Sequence, residues 1–231
     1  MIRSILLVLV LALTACSSDV QKAKELLADS LVITADLQFQ EVTGYKGDVV
    51  CGSFSATTSY TSQPSVNQPF IVLGKKLDKS PSPLEWQIYC SNTPAIVLHE
   101  NTGIGPFDKT SAELIKITKD FTLLTSAMEA YYTDVFSYPS EEQGLLALVS
   151  KPEGNSRLKN YREGGYLPQL PQDPWGMPYL YSHTQWGRVK APFEITTLGK
   201  SGEAGGSGLE ADVYSSLLPY LKHIFEILSN D

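Results

Sequence analysis

The chain has 231 residues, 42% hydrophobic, 19% charged and 10% aromatic, which is the profile of a folded globular protein and excludes a disordered or low-complexity rod. Its 18 basic residues face 25 acidic ones, a formal charge of -7, and no Lys/Arg cluster is interleaved with aromatics, so no nucleic-acid partner is expected. The length suits one or two domains, and the pattern below favours two.

Met1-Ile2-Arg3-Ser4, an apolar run from Ile5 to Leu13 and then Leu13-Thr14-Ala15-Cys16 make a positive n-region, an h-region and a small-residue cleavage site, a secretory signal over residues 1–15. The run is shorter than the roughly 20 apolar residues that span a bilayer, which favours a signal over a retained helix. Leu13-Thr14-Ala15-Cys16 resembles the lipobox of bacterial lipoproteins, which implies that Cys16 becomes an acylated first residue carrying chains such as palmitate. Each buried CH₂ of such a chain adds about 0.8 kcal/mol, and a stable membrane anchor needs more than one chain. Ser17 and Ser18 follow in place of Asp, which in Gram-negative lipoproteins implies an outer-membrane address facing the periplasm. An ordinary signal peptide with an incidental Cys is the alternative.

Once Cys16 is set aside, Cys51 and Cys90 remain, in a compartment that permits disulfides, and a Cys51–Cys90 bridge is expected. A metal site or reactive thiol lacks support, because no paired C-x-x-C spacing or His pattern accompanies them. Val20, Ala23, Leu26, Leu27 and Leu31 fall near helical spacing, so a short first helix is expected. Strand-like pieces follow at Leu37–Val42, Asp48–Phe54, Phe70–Leu73 and Leu84–Tyr89, separated by Gly, Pro, Ser and Asn clusters. Residues 16–105 therefore read as an α+β module with an antiparallel sheet pinned by the disulfide. Around Gln38-Phe39, Val49–Phe54 and Pro69-Phe70-Ile71 it resembles a helix-plus-sheet segment of small exported bacterial proteins, which implies a fold and no chemistry.

The turn residues Asn101-Thr102-Gly103-Ile104-Gly105-Pro106 suggest a boundary near residue 105. Asp108, Thr110 and Ser111 offer N-caps, and Leu114, Ile117, Phe121, Leu124, Met128, Tyr131 and Val135 then recur at alternating spacings of 3 and 4, the apolar stripe of a long helix. Lys116, Lys119, Asp120 and Glu129 lie mostly off that stripe, so it is read as a packing face; a coiled-coil seam is the narrower alternative. A second short helix is expected between Ser137 and Val149. Pro168, Pro171, Pro174 and Pro178 stiffen the next loop, Met177–Tyr181 and Phe193–Leu198 read as paired strands, and a glycine-rich stretch runs from Gly199 to Asp212.

Three blocks in this order after a long amphipathic helix resemble the C-terminal domain of the major pseudopilin (G-type) of type II secretion systems. They are Tyr138-Pro139 with Glu142-Gln143-Gly144-Leu145, Tyr166-Leu167 through Leu170-Pro171 to Asp173-Pro174-Trp175-Gly176-Met177-Pro178-Tyr179, and Leu198-Gly199 through Gly205-Gly206 to Ala211-Asp212. The resemblance covers about residues 110–214 and implies a long helix packed on a small antiparallel sheet, in a subunit of a periplasmic fibre that performs no chemistry. It also implies a prepilin leader, Phe-Thr-x-x-Glu and a continuous hydrophobic helix; the residues before Asp108 do not carry that pattern, which implies a pseudopilin-like domain, residues 106–214, recruited into a lipoprotein. The family's glycine loop binds calcium through carbonyl and carboxylate oxygens, as a hard cation requires. Ser201 stands where the first Asp is expected, leaving Glu203, Glu210 and Asp212, with the Leu198 carbonyl, as oxygen donors. A calcium loop and a purely structural glycine loop both remain open. Residues 215–231 read as a C-terminal helix, docked on its own domain or presented to a partner, with Leu217, Leu218, Leu221, Ile224, Phe225 and Leu228 on one side.

No catalytic signature emerges. His99-Glu100 opens like H-E-x-x-H but Gly103 occupies the second His position, Glu194 stands where the first Gly of a P-loop ending in Gly199-Lys200-Ser201 belongs, and Gly-x-Ser-x-Gly is absent. Glu141-Glu142 has nothing to fix a glycosidase-like separation. The expectation is a non-enzymatic α+β lipoprotein that meets type II secretion or pilus components. The alternative is a lipid-anchored receptor or adhesin reusing the fold.

Overall fold

A computed structural model describes residues 18–57, 64–153, 158–183 and 192–230; the signal and Cys16 lie outside the described residues. The protein is α+β and divides into two compact units between Val97 and Leu98. In the first, helix α1 is described over residues 18–29. It precedes β1 (Gln38–Tyr45), β2 (Val49–Ala56), β3 (Ser65–Leu73) and β4 (Lys76–Asp78), an antiparallel sheet in the order β1-β2-β3-β4. Strand periodicity places Val50, Phe54 and Ala56 of β2 on one face, where they meet Ala23 and Leu27 of α1 and Phe70 and Val72 of β3 in an apolar core. Gly52 falls in the same row by alternation, and a Cβ there would lie 2.9 Å from Val42 Cγ2, which is why the position carries no side chain. The neighbouring Cys51 is buried and bonded to Cys90, with the two Cα atoms 5.8 Å apart.

The expected strand at Leu84–Tyr89 is instead helix α2 (Pro83–Tyr89). The reason is local: Ser82 Oγ accepts from Glu85 N at 3.2 Å and Glu85 Oε2 accepts from Ser82 N at 2.7 Å, a complete capping box, with Pro83 in the first turn. Helix α3 (Pro94–Thr102) follows and carries the division between the units. The division falls earlier than the turn at 101–106 because those residues are tied forward. His99 Nδ1 lies 3.0 Å from Ile104 O, Ile104 is fully buried and bridges Gly208, and Gly208 N donates to Gly103 O at 2.7 Å.

The second unit is built on α4 (Ala112–Val135). Leu114, Ile117, Phe121, Leu124, Met128 and Tyr131 are buried along one side, as the 3.6-residue period requires. Off that side, Thr118, Thr122, Thr125, Ser126 and Thr133 each donate a hydroxyl to the carbonyl four residues back, at 2.6 to 2.9 Å. The expected second helix is a single 3-10 turn, Leu145–Leu148, whose side chains are too few to sustain another turn of packing. Three antiparallel strands, β5 (Leu180–His183), β6 (Phe193–Thr197) and β7 (Val213–Tyr214), lead through a 3-10 turn at Ser215–Leu217 into α5 (Leu218–Asn230). Leu218, Leu221, Ile224 and Ile227 of α5 are buried. Among the described residues no helix is long and apolar enough to cross a membrane.

Candidate functional site

The three sequence blocks meet α4 through buried polar ties. Asp120, expected off the apolar stripe, is only 9% exposed, because positions 117, 120 and 124 share a helix face. Its Oδ2 accepts from Tyr179 Oη at 2.7 Å and from Lys116 Nζ at 2.5 Å, and Lys116 also donates to Gln172 O at 2.5 Å. Burial, followed by the Asp120 carboxylate, pushes the Tyr179 phenol far above its ordinary value, so it stays a donor at any physiological pH. Helix and proline-rich loop are thereby locked in one register.

Asp173 organises that loop from within. Its Oδ1 accepts from Trp175 N at 3.0 Å and Met177 N at 2.8 Å, and its Oδ2 accepts from Thr197 Oγ1 at 2.7 Å, so one buried carboxylate shapes the turn and fastens it to β6. An Asp ahead of Pro174-Trp175-Gly176 carries the local signal of an Asx-type turn; its bond to Thr197 has no sequence signal. In the first block, Tyr138 Oη donates to Glu129 Oε1 at 2.5 Å while its ring meets Tyr132 and Phe193 at 4.9 and 4.7 Å between centroids. Tyr181 Oη donates to Pro139 O at 2.8 Å, closing the same corner. In a further group Tyr161 meets Tyr131 and Tyr166 edge to face while Tyr131 and Tyr166 lie tilted at 52°, with burial raising the Tyr131 phenol to about 12.

The glycine loop closes on the backbone of Glu210. Lys200 N donates to Leu209 O at 2.8 Å, and Gly199 (φ +64°) and Gly206 (φ +88°) each approach Glu210 so closely that a Cβ would lie 2.6 Å from its carbonyl group. Ser201 Oγ is engaged within its own turn, accepting from Glu203 N at 3.3 Å. The Glu203 and Glu210 side chains are exposed. Asp212 Oδ2 accepts from Gly205 N at 3.1 Å and Tyr214 Oη at 3.2 Å, while its Oδ1 is buried with no hydrogen-bond partner. Among the described residues no three acidic, His or Cys side chains converge as a metal-ligand group. Calcium takes six to eight oxygens, several of them carboxylate. Leu198 can offer only its carbonyl, and among the described residues Asp212 Oδ1 is the one buried carboxylate oxygen left over.

The remaining candidates lie in different units. Cys51 and Cys90 form their bridge inside the first unit. His183 Nδ1 lies 3.2 Å from Pro192 O, and His223 is buried in α5, where desolvation lowers its pKa.

Residues 107–216 match the family model for protein G of the type II secretion system (T2SS). Type II secretion system core protein G of Pseudomonas aeruginosa is 46% identical over 94 residues, 41% of this chain and 64% of the relative, so the chain spans less than two thirds of that protein. Its counterpart in Vibrio cholerae is 42% identical over 106 residues, covering 46% of this chain and 70% of the relative. The crystal structure of the major pseudopilin from the type 2 secretion system of enterohaemorrhagic Escherichia coli is 36% identical, with a TM-score of 0.38, over 46% of this chain and 88% of that one. The first unit and α5 lie outside the residues matched by the family model.

Proposed function

Because the chain belongs, through residues 107–216, to the type II secretion system protein G family, we propose that it is a non-enzymatic structural and interaction component of protein secretion, held at the periplasmic face of the outer membrane by an acylated Cys16. The relatives are named as type II secretion system core proteins, which supports a structural, secretion-associated role for the domain in the cell envelope. The observation that carries the reading is that the matched residues contain the ties that define the second unit, Asp120–Tyr179, Asp173–Thr197 and the Gly199–Glu210 closure. The tether is supported by Leu13-Thr14-Ala15-Cys16 and the serines after it. In this reading the partners are type II secretion or pilus components.

The test is a secretion assay in a deletion strain complemented by the wild-type chain and by Cys16→Ala. Accumulation of secreted enzymes in the periplasm, rescued only by the acylatable chain, is the expected result. Normal secretion without the protein would overturn the reading in favour of a lipid-anchored receptor or adhesin that reuses the fold. On the same reading the glycine loop is structural: calcium should shift the melting of the wild-type chain less than that of Ser201→Asp, which supplies the carboxylate the family resemblance expects at that position.

A further inference from the structure

Between the first turns of α4 and the last turns of α5 lies a groove of about 510 Å³, floored by Ile115, Phe225 and Leu228 and rimmed by Lys109, Lys119 and Lys222. All three lysines are exposed, and among the described residues none of them forms an ion pair. Among the described residues no acidic side chain lines the groove, although the chain carries 25 acids against 18 bases. Three bare ammonium groups around an apolar floor repel one another and favour an occupant that brings its own carboxylates. One wall comes from α5, outside the residues the family model matches, so the groove goes beyond the secretion reading and stands or falls apart from it.

Its length discriminates between occupants. From Lys222 to Ser229 α5 rises about 10 Å at 1.5 Å per residue, which is also the span from i to i+7 on a second helix. One leaflet of a bilayer core is about 15 Å deep, so an acyl chain of that length would leave a third of itself in water. We propose that the groove docks an acidic amphipathic helix of a partner protein. Its apolar residues at i, i+3 or i+4, and i+7 rest on Ile115, Phe225 and Leu228, and its flanking carboxylates meet Lys109, Lys119 and Lys222.

The test uses the full chain and a labelled helical peptide with a leucine stripe flanked by glutamates, beside the same peptide flanked by lysines and vesicles of phosphatidylglycerol. The glutamate peptide is expected to bind with an affinity that falls as salt rises, and to lose at least tenfold against the triple variant Lys109→Glu, Lys119→Glu, Lys222→Glu. That variant should in turn prefer the lysine peptide. Leu228→Gln should weaken binding several-fold with the salt dependence unchanged, and unchanged melting shows that each variant is folded. Failure of the glutamate peptide to bind, or equal binding to the charge-reversed chain, would sink the proposal. Vesicle binding through the three lysines without peptide binding would replace it with a lipid surface. A normal secretion assay beside positive peptide binding removes only the secretion reading.

Discussion

In the unit ending at Val97 a four-stranded sheet closes over an apolar core and is linked covalently from β2 to the end of α2, whereas the unit from Leu98 fastens a loop and a three-stranded sheet to one 24-residue helix. The difference is sharpest in what each buries. Among the described residues the buried polar and charged side chains, Ser111, Asp120, Asp173, His183, Thr197, Ser215 and His223, all belong to the second unit. Apolar packing accepts many side-chain combinations of similar volume, so the first unit gains its definition from the crosslink. Buried hydrogen bonds work in one arrangement, so the second unit is defined by which carboxylate meets which donor.

The contrast breaks most visibly at Asp173. Asp173→Ala leaves three donors without their acceptor and should cost the second unit about 3–5 kcal/mol in denaturant unfolding, with the transition of the first unit unmoved. A single shared transition that shifts as a whole would show that the two units do not owe their stability to separate devices. Replacing Cys51 and Cys90 by Ala should do the converse, removing about 3–4 kcal/mol from the first unit for a sequence separation of 39 residues and leaving the second at its wild-type midpoint. Gly206→Ala should cost about 1–3 kcal/mol, since it combines φ +88° with a clash against the Glu210 carbonyl; a neutral outcome in thermal melting would mean that the loop is open in solution.

The smallest effect is a pH dependence confined to the second unit. Burial holds the His223 imidazole below its ordinary value of 6.5, so as pH falls the unfolded chain takes up that proton first. The stability this confers is complete above about pH 6.5 and is lost as pH drops through that value toward the folded pKa. Comparing midpoints of the wild type and His223→Gln across this window should show a shallower slope in the variant. Equal slopes would place the dependence on another group.

The elements most legible in the sequence are those whose period spans several turns or pleats. The α4 stripe and the apolar rows of β2 and β3 follow from spacing alone, whereas in the C-terminal helix spacing finds Leu218, Leu221 and Ile224 but misses the buried His223 and Ile227 and places the half-buried Leu217, Phe225 and Leu228 in the stripe. The segment Leu84-Glu85-Trp86-Gln87-Ile88 alternates like a strand, yet Ser82 and Glu85 cap it as a helix, because a seven-residue element is decided by its end and not by its period. Strand β4 has three residues and no pattern to read. The disulfide was legible by elimination, since only two cysteines remain after Cys16. Asp120–Tyr179 was not: the partners are 59 residues apart, and on a helix a buried Asp and a solvated one occupy the same kind of sequence position.

The hydroxyl ladder on α4 has a bearing on where this helix can live. Thr118, Thr122, Thr125, Ser126 and Thr133 satisfy their donors on the helix's own carbonyls, so none of these protons depends on water. Moving such a face out of solvent strands no donor, whereas the same move for an outward-pointing hydroxyl leaves an unanswered proton. The helix therefore presents an amphibious side, one that can be wet or covered and keep the same internal accounts.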